Sequence, residues 1–458
     1  MASKHKSNIS WSSILLSILL ISAVGTILWV LSDIAGTHPP SSKDLTKNES
    51  ESIVNIFSIN DLANTLVNKH TASNIPQKER SNILQAVKNT LQHLQDTNKQ
   101  PALQNLQALE LNAAISTLTE SVKLEEKSRE AAKTWVDIGN LQQLQSSQLA
   151  LYAYKKASKL DNKNISAWNR LGHYYRRQQQ FALAENAYNH VLQSSGDTST
   201  TLAVAHANFG LLYQAQSKFE QAETAYLKAL EINDAQKNTP SLASNAENLA
   251  IIYKQKKNFE ASERYYLIAL SHYKTLEKSE QIAKLQTSLA SLYHQHKALE
   301  KAKKHHRIAL NIYLERNNQT KTASSYSNLG IINQQQGQAS KAKELFEQSL
   351  ELNKIIKSQK GIADQYGNLG ILHRSQNNLL ESESSHLMSL KIYQELSHTE
   401  AISQQQTNLG FLYQAWDKNE KACKYWQESQ NTLAPTQNTN RIERIKALIQ
   451  KHCPQSVD

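Results

Sequence analysis

One pattern appears six times along this chain, at a spacing of 40 residues and without an insertion. Its clearest mark is an apolar residue followed by a small one: Phe209-Gly210, Leu249-Ala250, Leu289-Ala290, Leu329-Gly330, Leu369-Gly370 and Leu409-Gly410. Twelve positions after each small residue stands another, Ala222, Ser262, Ala302, Ala342, Ser382 or Ala422. Four beyond that comes a ring, Tyr226, Tyr266, His306, Phe346, His386 or Trp426, and three later Ala229, Ala269, Ala309, Ser349, Ser389 or Ser429. Small residues facing one another let two antiparallel helices approach closely. The ring and the last small residue, spaced i and i+3, share one face of the second helix and are expected to pack against the following hairpin. No such unit buries its apolar face alone, so neighbours must stack. Twelve Gly and seven Pro in 458 residues are too few for a turn-rich β protein, so an all-α chain is expected.

Shorter versions of the pattern precede these copies. Trp168, Leu171, Gly172 and Tyr175 lead to Ala184, Tyr188 and Val191; before them, Trp135, Ile138 and Gly139 lead to Ala150, Tyr154 and Ala157. This resembles the tetratricopeptide repeat, whose pattern is W-x2-L-G-x2-Y, then A-x3-F-x2-A. Val191 stands where the family usually has Ala, and Asp161-Asn162 where it often has Pro. The two Trp are 33 residues apart, near the family's usual repeat length, whereas the 40-residue copies are similar to the longer-helix variety of kinesin light chains. The resemblance implies a superhelical solenoid of antiparallel helix pairs, with about eight repeats in residues 132–436. Residues 51–131 read as helical, with a degenerate repeat suggested by Ala102, Ala114, Leu118 and Ser121. Ile83, Leu84, Val87, Leu91 and Leu94 there form an amphipathic face suited to sealing the first repeat. In residues 437–458, Ile442, Ile445, Leu448 and Ile449 make the stripe expected of a terminal capping helix.

The N-terminus carries a different signal. No charge lies between Lys6 and Asp33, and Ile14 to Leu31 is apolar enough to cross a bilayer as a helix. Residues 1–8 read as a cytoplasmic tail, 9–32 as a single transmembrane helix and 33–50 as a polar linker interrupted by Pro39 and Pro40. Lys4 and Lys6 precede the span and Asp33 follows it, which places the repeats outside the cytoplasm, in the periplasm of a bacterium. A retained anchor fits better than a cleaved signal, because Trp29, Asp33 and Ile34 make a poor small-residue cleavage site.

In tetratricopeptide proteins the first helices line a concave groove, and the residue two before the small one points into it. Here that position holds Asn208, Asn248, Ser288, Asn328, Asn368 and Asn408. A primary amide donates and accepts, so it can pair with the backbone of an extended chain without reading side chains. First helices about 10 Å apart would meet such a chain at about every third residue. The competing reading is that these Asn bond to neighbouring helices or water. Specificity would come from Lys254, His294, Gln334, Arg374 and Gln414, whose polar and partly basic character suits a polar or acidic protein or peptide partner. A scaffold of this kind and a peptide-responsive regulatory sensor both remain open.

Other functions lack support. Phosphate-cradling glycine loops and H-E-x-x-H are missing, so neither a nucleotide cofactor nor catalytic zinc is expected. Residues 51–128 hold only His70 and His93, with no Cys or Gly, so catalysis there is not expected. His294, His296, His305 and His306 read as structural rather than metal-binding. The net charge of +11 is spread among Glu, which argues against nucleic acid; its densest cluster, Lys297 to Arg307, reads as a solvated helix face. Cys423 reads as a small core residue that pairs with Cys453 only if the last helix folds back in an oxidising compartment.

Overall fold

The computed structural model describes residues 58–453 apart from 72–74, 76, 98, 126–127, 195, 197–198, 435 and 437. The apolar stretch 14–31, with the tail and linker expected around it, lies outside the described residues. Among those described, no helix is long and apolar enough to cross a membrane. They form 21 helices and no strand.

The chain divides into two compact units between Ala167 and Trp168. The first holds α1 (Ile59–His70), α2 (Gln77–Asp96), α3 (Gln100–Gln107), α4 (Leu111–Glu125), α5 (Arg129–Gln142) and α6 (Ser147–Leu160). Its helices share one core. Ile83, Val87, Leu91 and Leu94 of α2 are buried with Leu103, Leu106, Leu118, Ile138 and Leu141, so the amphipathic face of α2 does cover the first hairpin, α5–α6. Ala102 and Ala114 are buried in the same core. A polar chain runs through it: Thr90 Oγ1 donates to Asp137 (2.9 Å), Asn140 Nδ2 to Thr90 (3.1 Å) and Tyr154 Oη to Asn140 (2.9 Å), while His93 Nδ1 meets the other Asp137 oxygen at 2.5 Å.

The second unit begins within α7 (Ile165–Arg177) and continues through α8 (Phe181–Ser194), α9 (Ser199–Ala215), α10 (Phe219–Ala235), α11 (Thr239–Gln255), α12 (Phe259–Thr275), α13 (Ser279–Gln295) and α14 (Leu299–Glu315). After these come α15 (Gln319–Gln335), α16 (Ala339–Ile355), α17 (Gln359–Ser375), α18 (Leu379–Glu395), α19 (Thr399–Ala415), α20 (Asn419–Leu433) and α21 (Thr439–His452). Each helix from α9 to α19 has 17 residues and is followed by a three-residue connector. Every middle connector residue, from Ser217 through Lys257 and Gly337 to Asp417, has φ between 50° and 73°. The residue after it donates its N–H to a carbonyl five residues back, as Asn258 does to Tyr253 and Asn318 to Tyr313, both at 2.9 Å. This is the 6→1 bond that closes a helix with a left-handed residue.

Within each hairpin the ring of the second helix sits on the small residue of the first. A Cβ added at Gly410 would lie 2.2 Å from Trp426 Nε1, one at Gly330 2.5 Å from Phe346 Cε1, and one at Gly172 2.2 Å from Tyr188 Cε1. The last small residue also turns inward: Ser349 Oγ donates to the Ala323 carbonyl (2.8 Å) and Ser389 Oγ to that of Ala363 (2.7 Å). These two positions therefore lock their own hairpin, and the ring also serves the following one as expected: Tyr226 is buried with Leu249 and Ile252, and Phe346 with Leu369 and Leu372. Rings do reach the neighbour at their edges, where His386 Nδ1 meets Gln405 (2.9 Å) and Tyr188 packs edge-on against Phe209.

A second device joins consecutive hairpins. Tyr253 Oη donates to Glu223 (2.6 Å), Tyr293 Oη to Glu263 and Tyr413 Oη to Glu383, each tying a first helix to the preceding second helix. At the equivalent place between α14 and α15 the carboxylate becomes Lys303 and the phenol Asn333, and Lys303 Nζ donates to Asn333 Oδ1 at 2.8 Å. Lys303 is thus buried, which corrects its reading as part of a solvated face; a shortage of acid opposite it left the cation to be satisfied by amides.

At the C-terminal end α21 lies on α20. Ile445 is buried beside Trp426 and Leu433, with Ile442, Leu448 and Ile449 packed around them. Cys423, itself buried, forms a disulfide with Cys453, closing the cap covalently.

Candidate binding face of the first helices

Asn208, Asn248, Ser288, Asn328, Asn368 and Asn408 occupy the same turn of α9, α11, α13, α15, α17 and α19. They are not equally committed. Asn208 is buried and donates to Asn169 Oδ1 (2.8 Å); Asn408 is buried and accepts from Gln404 (3.1 Å). Ser288 is taken up by the Tyr266 hydroxyl. Asn368 makes only long bonds, to Ser327 (3.3 Å) and Gln365 (3.4 Å). Asn248 and Asn328 are half-buried, and their amides make no hydrogen bond to a described residue.

The positions expected to give specificity are spent partly on neighbours. Lys254 Nζ donates to Ser291 (3.4 Å), His294 Nε2 meets Gln335 (2.7 Å) and Gln414 meets His452 (2.9 Å). Arg374 lies over the Phe411 ring at 5.7 Å, and burial lowers its guanidinium pKa. Gln334 is half-buried. Among the four histidines, His306 fills the buried ring position and His305 stacks on Tyr293. No group of three or more His, Cys, Asp or Glu among the described residues is placed to hold a metal ion.

A row of apolar residues, three positions after the amides, was missed in the sequence. Leu211, Ile251, Ile331, Ile371 and Phe411 are all half-buried, and Ser291 interrupts them. Their i, i+3 offset from the Asn column was the available signal. Asn368, Ile371 and Asn408 line a cleft of about 350 Å³ whose other walls include Lys360, Asp364 and Arg441. The face therefore offers amides beside aliphatic side chains, with charges of both signs at the C-terminal end. Such a surface can pair with a backbone and accept an occasional apolar side chain.

Residues 164–235, 282–355 and 321–395 match the tetratricopeptide repeat family. The hairpins within those residues are tetratricopeptide repeats. Among solved structures, the apo form of RapI is similar at 16% identity, over 64% of this chain and 82% of that one, with a TM-score of 0.52. A signal transduction ATPase with a tetratricopeptide repeat sensor, from Pyrococcus horikoshii, is similar at 13% identity, over 89% of this chain and 68% of that one, with a TM-score of 0.55. Kinesin light chain-like repeats from a Podospora fungus align at 17% identity over 43% of this chain and 98% of theirs, at a TM-score of only 0.38. At these identities the likeness is one of fold. No curated protein matches the sequence.

Proposed function

We propose that this protein is a membrane-anchored, non-catalytic scaffold that holds an extended segment of another protein along the first helices of its tetratricopeptide array. The observation that carries this is the uneven use of the Asn column: Asn248 and Asn328 keep amides that no described residue bonds, on a half-buried face where a partner backbone can pair with them. Asn368 and Asn408 border the polar cleft, and Lys254 and Arg374 flank the same rows. The partner is a protein or peptide of polar or acidic character, with no nucleic acid and no small-molecule cofactor involved. The apolar stretch 14–31 anchors the chain and the repeats lie outside the cytoplasm. The Cys423–Cys453 disulfide supports that placement, because cytosolic thiols are kept reduced.

Photo-crosslinking in native membranes from a reactive residue at Asn328 tests this. Capture of a discrete protein from that position, and not from the exposed Leu267 on α12, is expected. Capture only from Leu267 would move the binding face elsewhere.

A second reading, a regulatory sensor whose repeats tighten around a peptide, draws support from the sensor role printed for the Pyrococcus horikoshii structure. Small-angle scattering with and without the captured segment separates the two: a contraction on binding favours the sensor, an unchanged radius the scaffold.

A further inference from the structure

Three hairpins share an aromatic pair between their helices. Tyr253 stacks on Tyr265 with centroids 5.3 Å apart and planes 10° from parallel, Tyr293 on His305 at 5.2 Å and 24°, and Tyr413 on Tyr425 at 5.4 Å and 11°. The hairpin of α9 and α10 keeps the first partner as Tyr213 but has Ala225 where the second ring belongs. Phe209 stands where the sister hairpins have Leu249, Leu289 and Leu409, and it stacks on Tyr213 at 5.9 Å. Even so, a cavity of about 370 Å³ remains, with Phe209, Tyr213 and Ala225 in its wall. Its rim carries Glu185 and Asn189 from α8 and Lys228 from α10; all three are exposed and make no hydrogen bond or ion pair to a described residue.

We propose that this cavity receives one aromatic side chain of a partner polypeptide, which completes on Tyr213 the stack that the other three hairpins build internally. A flat ring suits the Tyr213 ring in the cavity wall better than a branched aliphatic group, because offset stacking aligns opposite parts of the two ring quadrupoles. The rim argues for a polypeptide as its source. The Asn189 amide can pair with a backbone N–H or C=O, and Glu185 and Lys228 offer a charge of each sign to residues flanking the ring. His206, Phe209 and Tyr213 lie on a different face of α9 from Asn208 and Leu211, so the site is separate from the amide column.

The test uses the full chain, titrated in NMR saturation-transfer experiments with N-acetyl-tryptophanamide, N-acetyl-leucinamide and free indole. The tryptophan amide should bind at least fivefold more tightly than the leucine amide and than indole. Ala225→Tyr, which supplies the absent ring, should weaken that binding at least tenfold while keeping the helical circular dichroism. If that variant does not fold, Tyr213→Leu removes the stacking platform and should show the same loss. Equal binding of the two amides, or unchanged binding in the folded variant, would overturn the site. Indole binding as tightly as the tryptophan amide would overturn the polypeptide as its occupant.

Discussion

The N-terminal unit and the 40-residue array are both all-helical, yet they hold themselves together in opposite ways. Residues 59–160 pool their apolar side chains in one core that joins α1 to α6, and thread a buried polar chain through it from Thr90 to Tyr154. In the array the apolar clusters pass from each hairpin to the next, as Tyr226 with Leu249 and Ile252 or Phe346 with Leu369 and Leu372, and the longest runs from Ala243 to Ile332. Stability in the first case is shared and long-range; in the second it is a sum of nearest-neighbour terms. The difference teaches that regular spacing is a sign of local sockets, while irregular sequence hides contacts between residues far apart in the chain.

Histidine gives the sharpest way to separate the two. In the array His306 and His386 are buried neutral rings, each lowered by burial to about 4 from an ordinary 6.5. Above pH 6.5 both folded and unfolded forms are neutral, so nothing is lost. Between 6.5 and about 4 the unfolded chain gains protons that the folded one refuses, and each histidine then costs on the order of 3 kcal/mol. His93 is raised by its bond to Asp137, so its contribution is fully present below about 6.5 and fades as pH rises through the raised folded value. His70, in the same unit but more exposed, is shifted the other way by burial. Hydrogen exchange followed from pH 7.5 to 5 should show the array opening while residues around His93 hold; parallel loss in both units would break the contrast.

Next in size is Asp137→Ala. It strips the partner from His93 and from Thr90 inside the shared core and should cost about 3–5 kcal/mol in urea denaturation. A cost under about 1 kcal/mol would mean the polar chain contributes little. Gly410→Ala tests the sockets: its Cβ meets the Trp426 ring, so about 2 kcal/mol of overpacking is expected. Ala250 and Ala290 hold the same column in hairpins whose ring positions are Tyr266 and His306, so a Cβ is tolerated there and the figure stays moderate. The smallest effect is a gain: Lys257→Gly relieves a left-handed residue and should stabilise by about 1 kcal/mol, read as a higher melting temperature.

The repeat itself was legible because small and bulky residues recur in columns, and those columns mark the closest helix approaches. The hairpins, the sealing face of α2 and the capping stripe of α21 all followed from side-chain periodicity. That the ring column also looks into its own hairpin was not legible, since an i, i+3 pair shares a face whichever neighbour that face meets. The connectors were hidden for another reason: Ser217, Lys257 and Asp417 take a positive φ that only Gly337 advertises by its type. His93 and Asp137 are 44 residues apart with no period to link them. Lys303 carried a readable clue, because its column changes from Glu to Lys as the partner column changes from Tyr to Asn333. The Asn column was legible as a column, but composition does not tell Asn208, bonded within the fold, from Asn328, whose amide is unused.

That last distinction supplies the decisive measurement. Asn328→Ala with Asn368→Ala removes one amide that has no internal partner and one held only by long bonds, so helicity and melting temperature should match the wild type. Quantitative co-purification of the captured partner should then fall at least tenfold. Full retention of the partner by this folded double variant would contradict the account.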